Sequence, residues 1–246
     1  MTDAPAAVPP PRPRLAYHHH RGSAPTIVFL PGYASDMQGT KALALEAWAI
    51  TAGQSFLRFD YAGCGQSEGD FEAQTFAGWR DDVVAMIDDV AQAPVVLVGS
   101  SLGGWLMLHA AMARPGRVVG LVGIAPAPDF TDWGFTLDEK MAILSHGRIE
   151  RANRYGPTPT VYTRAFFASG EAHRLMFGEI AFDGPVRLIQ GQKDPDVPWA
   201  RTCRLAELIR SVDVQTWLIK DGDHRLSRDA DIALAIRAVE EVIERL

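Results

Sequence analysis

One junction constrains this chain above all others. The run Val95–Val98 leads directly into Gly99, Ser100, Ser101, Leu102 and Gly103, a Gly-x-Ser-x-Gly spacing. Val95–Val98 is apolar on both faces and rich in β-branched residues, which suits a central parallel strand. Leu102–Ala113 carries Leu, Trp, Met and Ala with no Pro, and no Gly after Gly104, as a buried helix requires. A strand that turns this abruptly into a helix forces Ser101 into a strained backbone conformation. The flanking glycines, lacking Cβ, let the two elements close on each other. The Ser101 hydroxyl then stands clear of the sheet at a helix N-terminus, where partial positive charge favours an oxyanion. Ser101 is a candidate nucleophile.

Apolar strand-like runs alternate with helical patterns from residue 26 onward, the signature of a mostly parallel α/β sheet flanked by helices. The expected strands are Thr26–Leu30, Gln54–Phe59, Val95–Val98, Val118–Ile124, Val186–Gln190 and Val214–Ile219, with an antiparallel lead-in over Arg14–His20. Helices are expected over Lys41–Thr51, Ala73–Asp89, Leu102–Ala113, Ala200–Ser211 and Asp231–Arg245. A chain of 246 residues with 47% hydrophobic content fills one such domain, here residues 14–246; single α/β units reach roughly 250 residues. Residues 1–13 are rich in Pro and Ala, lack the apolar core of a secretory signal, and read as a disordered tail.

The alternation breaks once. About sixty residues separate Ile124 from Val186, whereas a crossover needs only a dozen or so. The excess is expected to form a small helical cap over about 127–184. Phe130, Trp133, Phe135, Tyr155, Tyr162, Phe166, Phe167, Met176 and Phe177 fall in it, enough for an apolar lid over the serine. Trp133, Phe166 and Phe167 are the expected substrate contacts there.

A serine nucleophile needs a base, and the base needs a group to orient it. His224 lies in a polar loop directly after the last strand. The carboxyl-end loops of a parallel sheet line its binding crevice, so His224 can meet Ser101; His109, two turns along the serine's own helix, cannot. The loop Gly191–Pro198 also leaves a strand's carboxyl end and offers Asp194 and Asp196. Asp194 is favoured, because Pro195 biases it toward extended backbone while Asp196 sits near a helix start. The order Ser, Asp, His along the chain then matches one class of serine hydrolase. Backbone N–H groups of Leu102 and Tyr33 are the expected oxyanion donors, with the Tyr33 ring walling the pocket.

Composition excludes other functions. A net charge of −6 argues against a nucleic-acid surface, and no apolar stretch approaches a membrane span. Cys64 and Cys203 lack zinc-site spacing and read as free thiols in a reducing cytoplasm. His18, His19 and His20 alternate sides on an edge strand and cannot converge on one ion. No metal or organic cofactor is expected.

Leu30–Ala42, Arg58–Tyr61, Val98–Ala110 and Asp221–Arg225 resemble the α/β-hydrolase superfamily. More narrowly they resemble the α/β-hydrolase domain-containing protein 10 group of serine esterases and palmitoyl-protein thioesterases. Asp60–Ser67 is similar to the superfamily's Asp-x-x-Gly-x-Gly-x-Ser turn. The acid pattern Gly-x-x-Asp-x-x-Val-Pro falls on Asp194. The resemblance implies an α/β-hydrolase fold and cleavage of acyl esters or thioesters, of small molecules or of S-acylated proteins and peptides. Eukaryotic members are mitochondrial; this N-terminus lacks an Arg- and Ser-rich presequence, and the expected location is cytoplasmic. Two alternatives are a peptidase or another α/β-hydrolase reaction, and a non-catalytic sensor on the same scaffold. The cap offers few groups to meet a peptide backbone, and sensors commonly lack a triad member, whereas all three are present here.

Overall fold

The computed structural model of the protein describes residues 13–91 and 94–246. The tail expected over 1–13 lies outside the described residues for all but its last position.

Strand β4 (Val95–Ser100) is buried at every position, as a run without a polar face demands. It lies at the centre of a seven-stranded sheet of order β1-β3-β2-β4-β5-β8-β9. The other members are β1 (Tyr17–His20), β2 (Ser23–Leu30), β3 (Gln54–Phe59), β5 (Val118–Ile124), β8 (Val186–Gly191) and β9 (Val214–Ile219). Every pairing is parallel except β1 on β3. The expected strands are all present, each within three residues of its expected ends.

Each face of the sheet carries its own core. On one side α1 (Thr40–Ala52) and α8 (Asp229–Glu244) bury Leu45, Ala49, Val239 and Val242 against Ile27, Val96 and Val122. On the other, α2 (Phe76–Ala85), α3 (Leu102–Ala113) and α7 (Trp199–Leu208) bury Trp79, Trp105, Leu106 and Leu205 against Val28, Leu97 and Leu121. Each such aliphatic side chain contributes about 1.5–3 kcal/mol. Helix α3 is buried around most of its circumference, which clamps the serine turn between sheet and helices.

The helix expected over Ala73–Asp89 divides into a 3₁₀ turn (Phe71–Ala73), α2, and a π-helical stretch (Met86–Ala91). Thr75 makes the division: its side chain accepts from the Gly78 N–H at 3.0 Å, so α2 starts only after it.

Between β5 and β8 lie α4 (Phe130–Trp133), α5 (Leu137–His146), β6 (Arg148–Arg151), β7 (Thr160–Thr163) and α6 (Arg164–Ala172). The cap is therefore helical with one addition, an antiparallel β6–β7 pair in which Ile149 faces Tyr162. Thr160, Val161, Tyr162 and Thr163 all favour extended backbone. A capping box at Thr136 and Glu139 starts α5. Glu139 also binds Arg151 of β6 at 2.6 Å, and the guanidinium lies 4.3 Å over the Phe135 ring. Among the described residues, no helix is long and apolar enough to cross a membrane. His18 and His19 diverge as expected, to Glu46 and to Ser55.

Candidate active site

Ser101 occupies the turn between β4 and α3 with φ 53° and ψ −117°, a left-handed conformation that costs a non-glycine residue on the order of 1–3 kcal/mol. The surroundings enforce it. Its N–H donates to the Ile124 carbonyl and its own carbonyl accepts from Ala127 N–H, each at 3.0 Å. The close approach behind it depends on Gly103, where a Cβ would stand 2.1 Å from the Leu30 carbonyl oxygen.

Two further carboxyl-edge loops converge on this hydroxyl. His224, in the loop after β9, places Nε2 3.1 Å from Ser101 Oγ. Its Nδ1 lies 2.8 Å from Asp194 Oδ2, in the loop after β8. The Asp194 side chain is 0% exposed. Burial alone would raise its pKa, but the His224 hydrogen bond and charge, with Val197 and Asp196 N–H groups on Oδ1, outweigh it and hold the carboxyl below its ordinary range. A carboxylate so held stays ionised and fixes which imidazole nitrogen faces the serine.

Asp196, the competing acid, points elsewhere. It accepts a hydrogen bond from the Tyr155 hydroxyl at 2.5 Å. The Tyr155 ring packs near-parallel to His224, with centroids 6.3 Å apart, and burial followed by the Asp196 contact raises the phenol's pKa. Asp194, Asp196 and His224 each place one ligand atom within 4.8 Å of the others. A metal there would compete with the His224–Asp194 hydrogen bond, which already uses His224 Nδ1 and Asp194 Oδ2.

The loop after β2 lies against the serine. A Cβ on Gly32 would sit 3.4 Å from Ser101 Cβ. Among the described residues, neither the Tyr33 nor the Leu102 N–H donates to a backbone acceptor, which leaves both as candidates for the expected oxyanion contact. Lys41 donates to the Arg225 carbonyl beside His224; burial, then the nearby Arg225 charge, pushes its ammonium down to about 8.

Ser101 and His224 open onto a cavity of about 710 Å³, within the range of small-molecule sites. Tyr33, Phe130, Trp133, Tyr155 and Tyr162 supply its aromatic wall, and Lys41, Arg151, Arg154 and Arg225 its cations. Phe166 and Phe167 do not line it, contrary to the sequence expectation. Phe166, 2% exposed, packs edge-on to Tyr33 at 4.8 Å. Phe167 is buried with Phe135 and Ile143. Adjacent helical residues point about 100° apart, and both directions from α6 end in packed clusters. Cys64 is no rival nucleophile: burial, then Asp60 and other carboxylates, pushes its thiol up to about 12.

Sequence reasoning missed Gln190. Fully buried, it donates from Nε2 to Asp194 Oδ2 at 2.9 Å and accepts from the Thr202 hydroxyl at 2.8 Å. A polar residue after Leu188 and Ile189 at a strand's carboxyl end was its only signal.

The model of the alpha/beta hydrolase family matches residues 27–245. The chain belongs to the α/β-hydrolase family. The mouse protein named "Palmitoyl-protein thioesterase ABHD10, mitochondrial" is 43% identical over 240 residues, covering 95% of this chain and 80% of that protein. The structure of mouse alpha/beta hydrolase domain-containing protein 10 superposes with a TM-score of 0.89 at 41% identity, covering 97% of each chain. A putative hydrolase from Agrobacterium vitis S4 gives 0.88 at 38% identity over 94% of each chain. Both structures match this α/β hydrolase nearly end to end, cap included.

Proposed function

We propose that this α/β hydrolase cleaves acyl thioesters and esters through an acyl-serine intermediate, with long-chain S-acyl groups on proteins or peptides among its substrates. The observation that carries the reading is the unbroken relay from Ser101 Oγ through His224 to Asp194, at 3.1 and 2.8 Å. Its support for thioesters is the similarity to a mouse protein named for that activity.

His224 takes the Ser101 proton as Oγ attacks the acyl carbonyl. The Tyr33 and Leu102 N–H groups receive the oxyanion, and Asp194 stabilises the imidazolium. Collapse breaks the bond to the thiolate or alcohol, to which His224 returns the proton. Water then attacks acyl-Ser101 with His224 again as base, releasing the acid and the free hydroxyl. Every step uses protein groups and water.

The aromatic wall favours an apolar acyl chain, since each buried CH₂ contributes about 0.8 kcal/mol. A fluorophosphonate probe, with S-acyl peptides and p-nitrophenyl esters of graded length, tests the reading. Labelling and hydrolysis should both vanish in Ser101→Ala. Hydrolysis that survives this substitution contradicts the assignment. The proposed location is the cytoplasm, supported by two free thiols; the mouse relative's name places that protein in mitochondria. Fractionation of cells expressing the tagged full chain decides between them.

A further inference from the structure

The loop that carries Tyr33 is tied to the protein at three places. Two ties come from the body. The Tyr61 hydroxyl donates to the Pro31 carbonyl at 3.0 Å. Farther along, Met37 is held at both backbone groups: its N–H donates to Asp60 Oδ1 at 2.7 Å, and its carbonyl accepts from Arg58 Nη1 at 3.2 Å. Between these anchors the chain makes local bonds, from Ser35 N–H to the Gly32 carbonyl and from Gln38 and Gly39 N–H to Asp36, and Ala34 is left-handed.

The third tie lies inside that span and comes from the cap. The Tyr33 hydroxyl donates to the Val161 carbonyl of β7 at 2.6 Å. Its ring stacks on Tyr162 of the same strand, with centroids 4.7 Å apart and planes 12° apart. Phe166 of the cap and Trp79 of the body close on its edges, with centroids 4.8 and 5.5 Å away. Tyr33, whose N–H is the expected oxyanion donor, is thus fastened through its side chain to a strand inserted between β5 and β8.

We propose that Tyr33 is a positioning residue through which cap strand β7 sets the oxyanion donor, so that the cap takes part in turnover as well as in acyl recognition. This rests on the serine-hydrolase reading above. An oxyanion donor must meet the developing charge at about 2.7–3.1 Å, and a shift of about 1 Å can cost on the order of a hundredfold in rate. Within Gly32–Asp36 the body meets the Tyr33 side chain through ring contacts alone, from Phe71 and Trp79 at 5.5 Å. The cap adds a directional bond at Val161 and the Tyr162 stack, which restrict such a shift. A tie of this kind acts on every substrate alike, because it aligns a backbone donor rather than touching the acyl chain.

That property supplies the test. Steady-state kinetics of wild type, Tyr33→Phe and Tyr162→Leu are compared on acetyl and palmitoyl thioesters, below the melting transition of each variant as followed by circular dichroism. Tyr33→Phe keeps the ring and loses only the bond to Val161. Its kcat should fall about 10- to 100-fold, equally for both acyl lengths, with KM within about twofold; deleting an oxyanion donor outright typically costs about 100- to 1,000-fold. Tyr162→Leu, which leaves the hydroxyl in place, should lower kcat on the acetyl substrate by a smaller factor. A loss confined to KM and growing with chain length makes Tyr33 an acyl contact and overturns the proposal. So does unchanged kcat in both folded variants. Failure of the underlying reading looks different: wild-type turnover would then persist in Ser101→Ala.

Discussion

The loops at the carboxyl edge of the sheet and the cap above them hold their side chains by different means. At the sheet edge, the two oxygens of Asp194 accept four hydrogen bonds, from His224, Gln190, Asp196 and Val197. Directional bonds to a charged group, roughly 1.5–3 kcal/mol each, leave one geometry. The cap is knit mainly by rings: Phe130 meets Tyr33, Trp105, Phe135, Tyr162 and Phe166 at centroid distances of 5.8–6.4 Å. Such contacts contribute about 0.5–1.5 kcal/mol beyond burial and are less directional, except where a hydrogen bond joins them, as between Tyr33 and Val161. Chemistry that requires ångström placement sits where hydrogen bonds dictate position. In the proposed reaction, a flexible acyl chain would meet the more adjustable of the two.

The sharpest way to break this contrast is to exchange the two neighbouring aspartates. Asp194→Asn should lower kcat on the order of 10⁴-fold, as loss of the triad acid does elsewhere. Asp196→Asn, whose side-chain hydrogen bond goes to Tyr155, should stay within about threefold. Comparable losses from both, in matched steady-state assays, would remove the distinction between the relay and its surroundings.

Gln190→Leu comes next in size. It strips a donor from Asp194 and leaves the buried Thr202 hydroxyl without its acceptor. We expect about a tenfold fall in kcat and a lower melting temperature, consistent with a charged hydrogen bond and an orphaned polar group. Unchanged kcat would confine the sheet edge's influence to residues that contact the imidazole.

On the cap side, Trp133→Ala should raise KM for a palmitoyl substrate about tenfold while sparing an acetyl one, as loss of apolar contact predicts. Phe167→Ala, whose side chain lies behind the wall, should lower thermal stability without a chain-length-dependent KM. Equal KM effects from the two would show that the wall is not the recognising surface.

One effect on stability alone, with none on turnover, concerns the seam between the two regions. His109 of α3 donates from Nε2 to the His173 carbonyl at the end of α6, at 2.8 Å. Burial lowers its pKa to about 4, outweighing that hydrogen bond, and the neighbouring His173 and Arg80 act in the same direction as burial. The unfolded chain therefore binds a proton at His109 that the folded one refuses. Its contribution is complete above about pH 6.5 and is lost as pH falls toward 4, on the order of 2–3 kcal/mol in total. Urea unfolding of His109→Gln between pH 7 and 4 should show a shallower decline than wild type; parallel curves would mean that His109 is not the group responsible.

The difference between the regions also decided what could be read from the sequence. β4 and α3 were legible because burial on all sides leaves an apolar run and an apolar helix, and the serine turn leaves glycines at fixed spacing. His224 and Asp194 followed from one topological rule, that carboxyl-end loops meet. The cap obeys no comparable rule. Its aromatic residues were visible, but which ring turns inward depends on packing between α4, α6 and β7. Trp133 reaches the cavity while Phe166 and Phe167 back it, and Tyr155, from the β6–β7 loop, lies over His224. The β6–β7 strands were hidden because four-residue segments carry too short an alternation to stand out. Gln190 was missed because its work is done on another side chain.

The central claim is that an acyl group passes through Ser101. Rapid mixing with a palmitoyl thioester, acid quench and mass spectrometry of the digested protein measures this directly. A transient mass increase equal to one acyl group on the peptide bearing Ser101, absent from Ser101→Ala, is the expected result. Full turnover by wild type with acyl transfer to another residue, or undiminished turnover in Ser101→Ala, would contradict it.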